Sequence, residues 1–385
     1  MAQELLITNC RLFDASEGEE VISVLVRDGL IAAIGRASDT CTGGNVLDAQ
    51  GRILAPGFID IHIHGAGGAD VLDETPEAFE TISQTCARFG TTAFVATTVF
   101  KPHQANRALT VAAEQVGRDL GGARMLGIHL EGPFISTRRK GAILPECVSP
   151  PSQQILDEIL EVTRGHLKIM TIAPELPGAD EVIGRLVGCG IVASFGHSAA
   201  TYEQTLAGFD AGISHVTHLF NAMSAIHHRS PGPLTAIFEN EQVSAQLICD
   251  GVHIHPALVK LAFGILGAER VVAITDGMQA LGLGDGRYIY NGLEYKSRDG
   301  VNRYRDGALI GTALPLNRLV ERLIRFTGCS LEAAIRTATE NAARAIGVEQ
   351  RKGCIAEGKD ADLVLLEPDL SVWATMVGGK IVFRK

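Results

Sequence analysis

Along the middle of the chain, short runs rich in Val, Ile, Ala and Thr alternate with longer stretches carrying Glu, Gln, Arg and Ala. The runs fall near 57–63, 91–99, 125–130, 167–172, 191–196, 213–217, 243–249 and 271–275. Continuously apolar short strands between amphipathic helices are the mark of a parallel sheet whose two faces are both covered. Eight such units predict an α/β protein of the (β/α)8 barrel class rather than an open sheet. The ends of the chain read differently. Strands are predicted at 5–8, 21–26 and 30–34, with an Asp28-Gly29 turn, and at 363–366, 372–376 and 380–383, with a turn at Gly378-Gly379. The two ends, 1–55 and 350–385, are expected to form one small β-sandwich-like domain, leaving 56–349 as the catalytic barrel. Within it, 287–309 alternates polar and apolar residues around Asn291-Gly292 and Asp299-Gly300, which predicts a β-hairpin insertion. These additions account for a chain of 385 residues, well beyond the roughly 250 of a bare barrel.

Composition narrows the partners. The formal charge is −10, from 34 Lys and Arg against 44 Asp and Glu. Phosphate backbones and anionic membranes select clustered cations, so nucleic acid and membrane partners are not expected. Residues 1–20 lack the basic region and apolar core of a signal peptide, and no apolar stretch approaches the roughly 18 residues of a spanning helix, so the expected location is cytoplasmic. The eight cysteines (Cys10, Cys41, Cys86, Cys147, Cys189, Cys249, Cys329 and Cys354) are widely spaced. They contain no C-x-x-C pair and read mostly as buried free thiols. Gly282, Gly284 and Gly286 have the wrong spacing for a dinucleotide fingerprint and predict a tight loop.

The chemistry gathers at strand ends. In Asp60-Ile61-His62-Ile63-His64-Gly65, residues two apart share a strand face, so His62 and His64 point together and can chelate one ion through neutral imidazole nitrogens. A bare H-x-H pair also arises among ordinary core histidines, and position decides between the two readings. Glu131 closes the third run in His129-Leu130-Glu131-Gly132-Pro133, His197 the fifth, His218 the sixth and Asp276 the eighth. Barrel enzymes assemble their active sites at the C-terminal strand ends, where all of these residues fall. Imidazole and carboxylate without thiolate suit Zn²⁺ foremost, with Fe²⁺, Mn²⁺ or Co²⁺ as further candidates. Such an ion brings the pKa of a bound water towards about 7 and polarises a carbonyl. A neighbouring carboxylate, here Asp276, then moves the water's proton to the leaving amine.

The ordered motifs P-G-F-I-D-x-H-x-H, H-L-E-G-P, G-H-S, T-H-L-F-N-A-M and T-D-x-M resemble the amidohydrolase superfamily, and within it the deacetylases of N-acetylglucosamine 6-phosphate. The resemblance runs from about Leu5 to Phe383. It implies hydrolysis of that sugar phosphate to glucosamine 6-phosphate and acetate, with a divalent metal held by Glu131, His197 and His218. It also implies a second ion where His62 and His64 are both kept, one or two ions per subunit in all, with Glu131 bridging, and Asp276 as a metal-facing acid/base. For the substrate it points to Ala142, Asn221, Ala222, Arg229, His253 and Thr312, and to a homodimer in which Arg229 reaches across the interface. An arginine fork pairs bidentately with phosphate oxygens, which reconciles an acidic chain with an anionic substrate.

Two departures stand out. Ile143 replaces a histidine that many relatives use to polarise the acetyl carbonyl, and loss of one such donor costs roughly 2.7–4 kcal/mol of transition-state stabilisation. Thr312 replaces the usual serine. His129 is expected beside the site, His215 in the barrel wall, and His103, His166 and His255 at the surface or at helix ends. The alternative readings are a deacetylase of N-acetylgalactosamine 6-phosphate or of another N-acyl substrate, and a barrel that has lost catalysis and serves in binding. The complete ligand set argues against the last.

Overall fold

The computed structural model describes residues 4–15, 21–35 and 45–385. Cys41 lies outside these residues. Eight parallel strands follow the predicted runs: β1 (Phe58–Ile63), β2 (Thr91–Thr98), β3 (Arg124–Glu131), β4 (Leu167–Ile172), β5 (Val192–Phe195), β6 (His215–Val216), β7 (Ser244–Leu247) and β8 (Val271–Ala273). Each pairs with its sequence neighbour. The ring closes past the end of β8, where the Asp276 amide donates to the His62 carbonyl (2.9 Å) and the His64 amide to that of Gly277 (2.8 Å). Closure therefore falls on the segments that carry the candidate ligands. Helices such as Pro76–Arg88, capped by Thr75, cover the outside and bury Phe79 and Ile82.

Beneath the strand ends the barrel interior is polar. Hydroxyl and imidazole side chains link successive strands and, in one case, skip a strand: His129 Nε2 on β3 contacts Thr171 Oγ1 on β4 (2.8 Å), Thr171 contacts Thr217 just past β6 (2.8 Å), and Ser194 on β5 contacts the same Thr217 hydroxyl (2.7 Å). All are fully buried, so each hydroxyl needs such a partner to offset its desolvation. His215 is buried against Ser244 of the neighbouring strand (2.7 Å), and His103 and His255 are exposed, His255 capping the helix Pro256–Arg270.

Both chain ends build one eight-stranded sheet, in which Ile53–Pro56 pairs antiparallel with Leu363–Leu366. At its junction with the barrel, Lys352 is 8% exposed and pairs with Asp360 (2.8 Å) and with Asp362, whose backbone carbonyl accepts from the Gly57 amide just ahead of β1. Burial opposes ionisation of Asp360, but Lys352 and Arg351 outweigh it and hold its carboxyl below the usual range. Removing one partner of a buried ion group strands the others, at about 3–5 kcal/mol. Lys352→Met is therefore expected to lower unfolding free energy by about that much, read as a shifted denaturant midpoint at constant slope. Because the folded carboxyl titrates below the unfolded one, this stabilisation is complete above the usual carboxylate pKa and disappears as pH falls through the folded value. The difference between native and Lys352→Met proteins should shrink with acidification; a difference that widened would contradict the pairing.

The insertion is larger than a hairpin. Four antiparallel strands, Gly286–Tyr290, Leu293–Arg298, Val301–Tyr304 and Leu309–Thr312, form a separate sheet. Asn291-Gly292 and Asp299-Gly300 make the two left-handed two-residue turns. A third reversal at Asp306-Gly307, tied by Tyr304 N to Ala308 O (2.9 Å), brings the last strand back to the barrel. There the Thr312 amide donates to the Asp276 carbonyl (2.9 Å). The insertion thus braces the strand-end segment of Asp276. The seven described cysteines are free thiols, with Cys10, Cys86, Cys147 and Cys249 buried.

Candidate active site

Three of the strand-end residues sit on strained backbone. His197, His218 and Asp276 have φ of 47°, 27° and 47°, a region that residues other than glycine enter at a cost of order 1–3 kcal/mol each and that recurs where geometry serves function. The sharp turn ends each strand and throws its side chain inward over the polar layer.

There the side chains form two groups. Glu131 Oε1 lies 2.8 Å from His218 Nε2 and 3.0 Å from His197 Nε2. The two imidazole nitrogens are 3.0 Å apart. Alongside, Asp276 Oδ1 is 3.4 Å from His62 Nε2 and 3.3 Å from His64 Nε2. Glu131 also faces this second group, at 3.6 Å from His62 and 3.4 Å from His64, so one carboxylate borders both. Every ligand atom within a group lies within 4.8 Å of the others.

The donor chemistry fits a divalent cation. His197 Nδ1 faces the Arg139 carbonyl at 2.9 Å; a carbonyl only accepts, so the proton is on Nδ1 and Nε2 turns a lone pair towards Glu131. His62 Nε2 is buried with no hydrogen-bond partner. Lone pairs and carboxylates converging in a buried space are mutually repulsive unless a cation lies among them. The electrostatics agree. Burial opposes ionisation of Asp276 and Glu131, yet the surrounding imidazoles outweigh it and hold both carboxyls well below their usual range. Burial likewise opposes a charged His64, but Asp276 and Glu131 prevail and push its pKa up to about 10. The site favours positive charge.

A cavity of about 180 Å³ opens on His64, Glu131, His197, His218 and Asp276. Ala142, Asn221, Ala222 and His253 line it, together with Ile143, Met278 and Tyr290. His253 Nδ1 is committed to Asp250 (2.7 Å), leaving Nε2 for the cavity. Two of the predicted substrate residues stand apart. Thr312 is buried beneath the wall, its hydroxyl donating to the Thr275 carbonyl (2.9 Å). Arg229 is exposed, its guanidinium 2.6 Å from His228 Nε2, outside the cavity lining of its own chain. Ile143 packs among Val99, Ile135 and Cys147. Sequence reasoning missed Tyr290, whose hydroxyl is 3.2 Å from His64 Nδ1, and Gln246, 2.9 Å from His62 Nδ1.

Residues 53–382 match the amidohydrolase family model. The chain belongs to the amidohydrolase family. Within the family it is 37% identical over 388 aligned residues to an N-acetylglucosamine-6-phosphate deacetylase of Bacillus subtilis (strain 168), covering 100% of this chain and 98% of that relative. It is 36% identical to an N-acetylgalactosamine-6-phosphate deacetylase of Escherichia coli O157:H7, covering 92% of this chain and 93% of that one. Among solved amidohydrolase structures, an N-acetyl-D-glucosamine-6-phosphate deacetylase of Mycobacterium smegmatis superposes with a TM-score of 0.90 at 33% identity, over 99% of this chain and 100% of that one. One from Thermotoga maritima superposes with a TM-score of 0.84 at 34% identity, over the full length of both chains.

Proposed function

We propose that this amidohydrolase hydrolyses the acetamide of N-acetyl-D-glucosamine 6-phosphate to D-glucosamine 6-phosphate and acetate. The observation that carries this reading is the convergence of Glu131, His197 and His218 with His62, His64 and Asp276 on one cavity, in a chain whose full-length relatives bear that activity in their names. Glu131, His197 and His218 would hold one divalent ion, Zn²⁺ foremost, and His62, His64 and Asp276 a second. Bound there, such an ion lowers the pKa of a water and polarises an acyl oxygen.

The chain's own residues do the rest. Asp276, held ionised, takes a proton from the attacking water as its oxygen bonds to the acetyl carbon, and delivers it to the amine nitrogen as the C–N bond breaks. Its Oδ1 faces His62 and His64, which leaves Oδ2 for the proton. Ile143 donates no hydrogen bond and, with Met278, offers apolar surface to the acetyl methyl. His253, Asn221 and Ala222 receive the phosphate end, and Arg229 completes that subsite from the second subunit of a homodimer. A cytoplasmic location belongs to the same reading, since a phosphorylated sugar is a charged metabolite retained inside the cell.

Arg229→Ala is expected to raise KM for the phosphorylated substrate about 10- to 100-fold, the worth of a charge-assisted hydrogen bond. It should leave hydrolysis of unphosphorylated N-acetylglucosamine unchanged. Equal effects on both would remove Arg229 from phosphate recognition. The near-equal identity to the N-acetylgalactosamine-6-phosphate enzyme favours a second reading, the C4 epimer as substrate. Acetate release from the two epimers, compared as kcat/KM, decides between them.

A further inference from the structure

Strand β7 supplies none of the ligands, yet one of its side chains touches both ligand groups. Gln246 is fully buried, and its Oε1 lies 3.2 Å from the His218 amide nitrogen and 2.9 Å from His62 Nδ1. A backbone N–H can only donate, so the oxygen of the Gln246 amide, not its nitrogen, must face His218. That oxygen can only accept, and His62 Nδ1 must therefore carry a proton. In the neutral ring Nε2 is left with its lone pair, buried and unpartnered, directed at Asp276 Oδ1 (3.4 Å) and Glu131 Oε1 (3.6 Å). The Gln246 amide nitrogen itself has no partner. The side chain is placed for what its oxygen does, at the expense of an unsatisfied donor.

We propose that Gln246 is a positioning residue that sets the tautomer of His62 and thereby makes the His62–His64–Asp276 group competent to hold an ion of its own. The chain of cause runs from the His218 peptide N–H through the Gln246 oxygen to the His62 ring. The neighbouring Glu131–His197–His218 group does not depend on it, because the Arg139 carbonyl fixes His197 and the Gln246 contact to His218 is to backbone. Loss of Gln246 should accordingly act on one metal position and spare the other. This inference rests on the metal-binding reading of the site and goes beyond it by making the second position conditional on a residue outside the ligand set.

The test is Zn²⁺ binding to the metal-free full chain, followed by competition with a chromophoric chelator, so that the readout is affinity rather than turnover. The native protein should bind two equivalents. Gln246→Leu, close in volume but without an acceptor, should weaken one equivalent about 10- to 100-fold, the usual worth of a group that orients a metal-ligating histidine, with the other unchanged. Gln246→Glu keeps the accepting oxygen and should restore the lost equivalent. In a His62→Ala background, Gln246→Leu should leave the remaining equivalent unaffected. In the Zn²⁺-loaded native protein, long-range ¹H–¹⁵N spectra should place the His62 proton on Nδ1, a measurement that needs no variant. Two equivalents bound by Gln246→Leu at native affinity, equal weakening of both, or a His62 proton on Nε2 would each overturn the assignment. A native protein that binds no Zn²⁺ would overturn the metal reading as well, and so is distinguishable from failure of this inference alone.

Discussion

Asp276→Asn is expected to lower kcat for N-acetylglucosamine 6-phosphate by about 10²- to 10⁴-fold, the range supplied by a positioned acid/base, with the fold retained. The substitution keeps the shape of the side chain and suits its backbone, since asparagine is among the residues that tolerate the left-handed φ of 47° found there. It removes the capacity to accept a proton at neutral pH. The same carboxylate faces His62 and His64, so a lost ion could mimic a lost base. Metal content measured on the variant separates the two: full occupancy with collapsed turnover assigns the proton-transfer role, and native turnover in the variant would remove Asp276 from it. The thermal midpoint checks the fold independently.

Metal removal is expected to be the largest single effect. Dialysis against a strong chelator should abolish acetate release, and divalent metal, Zn²⁺ before Co²⁺ or Mn²⁺, should restore it. It should also cost stability, because a ligand that binds only the folded state contributes about 4 kcal/mol when free at a thousand times its dissociation constant. The metal-free site keeps Glu131 and Asp276 buried among imidazoles, with His64 pushed up to about 10, so a proton partly replaces the missing charge and the barrel is expected to remain folded. Chelator-treated protein with undiminished turnover and an unchanged melting curve would contradict the metal assignment.

What the sequence made legible follows from how local each signal is. The eight barrel strands announce themselves as short continuous apolar runs, and burial on both faces demands that composition. His62 and His64 are legible because two-residue periodicity is a property of one strand, and Glu131, His197, His218 and Asp276 because each ends a recognisable run. Gln246 and Tyr290 are not. Their contacts with His62 and His64 span 184 and 226 residues of sequence, and nothing near either residue marks it, since a glutamine within a strand and a tyrosine in an alternating segment are ordinary there. The insertion is legible in place but not in size: Asn291-Gly292 and Asp299-Gly300 mark two of its turns, and a third Asx-Gly pair, Asp306-Gly307, reverses the chain once more. Arg229 shows the opposite limit. Its motif predicts a phosphate ligand, while in its own subunit the side chain rests on His228 and reaches the cavity only if a second copy brings it there.

The most direct measurement of the proposed activity is acetate release from N-acetyl-D-glucosamine 6-phosphate by the metal-loaded native chain, set beside the same chain after chelation. Stoichiometric acetate and glucosamine 6-phosphate are expected from the first and none from the second. Metal-loaded protein that releases no acetate from either the gluco or the galacto epimer would contradict it.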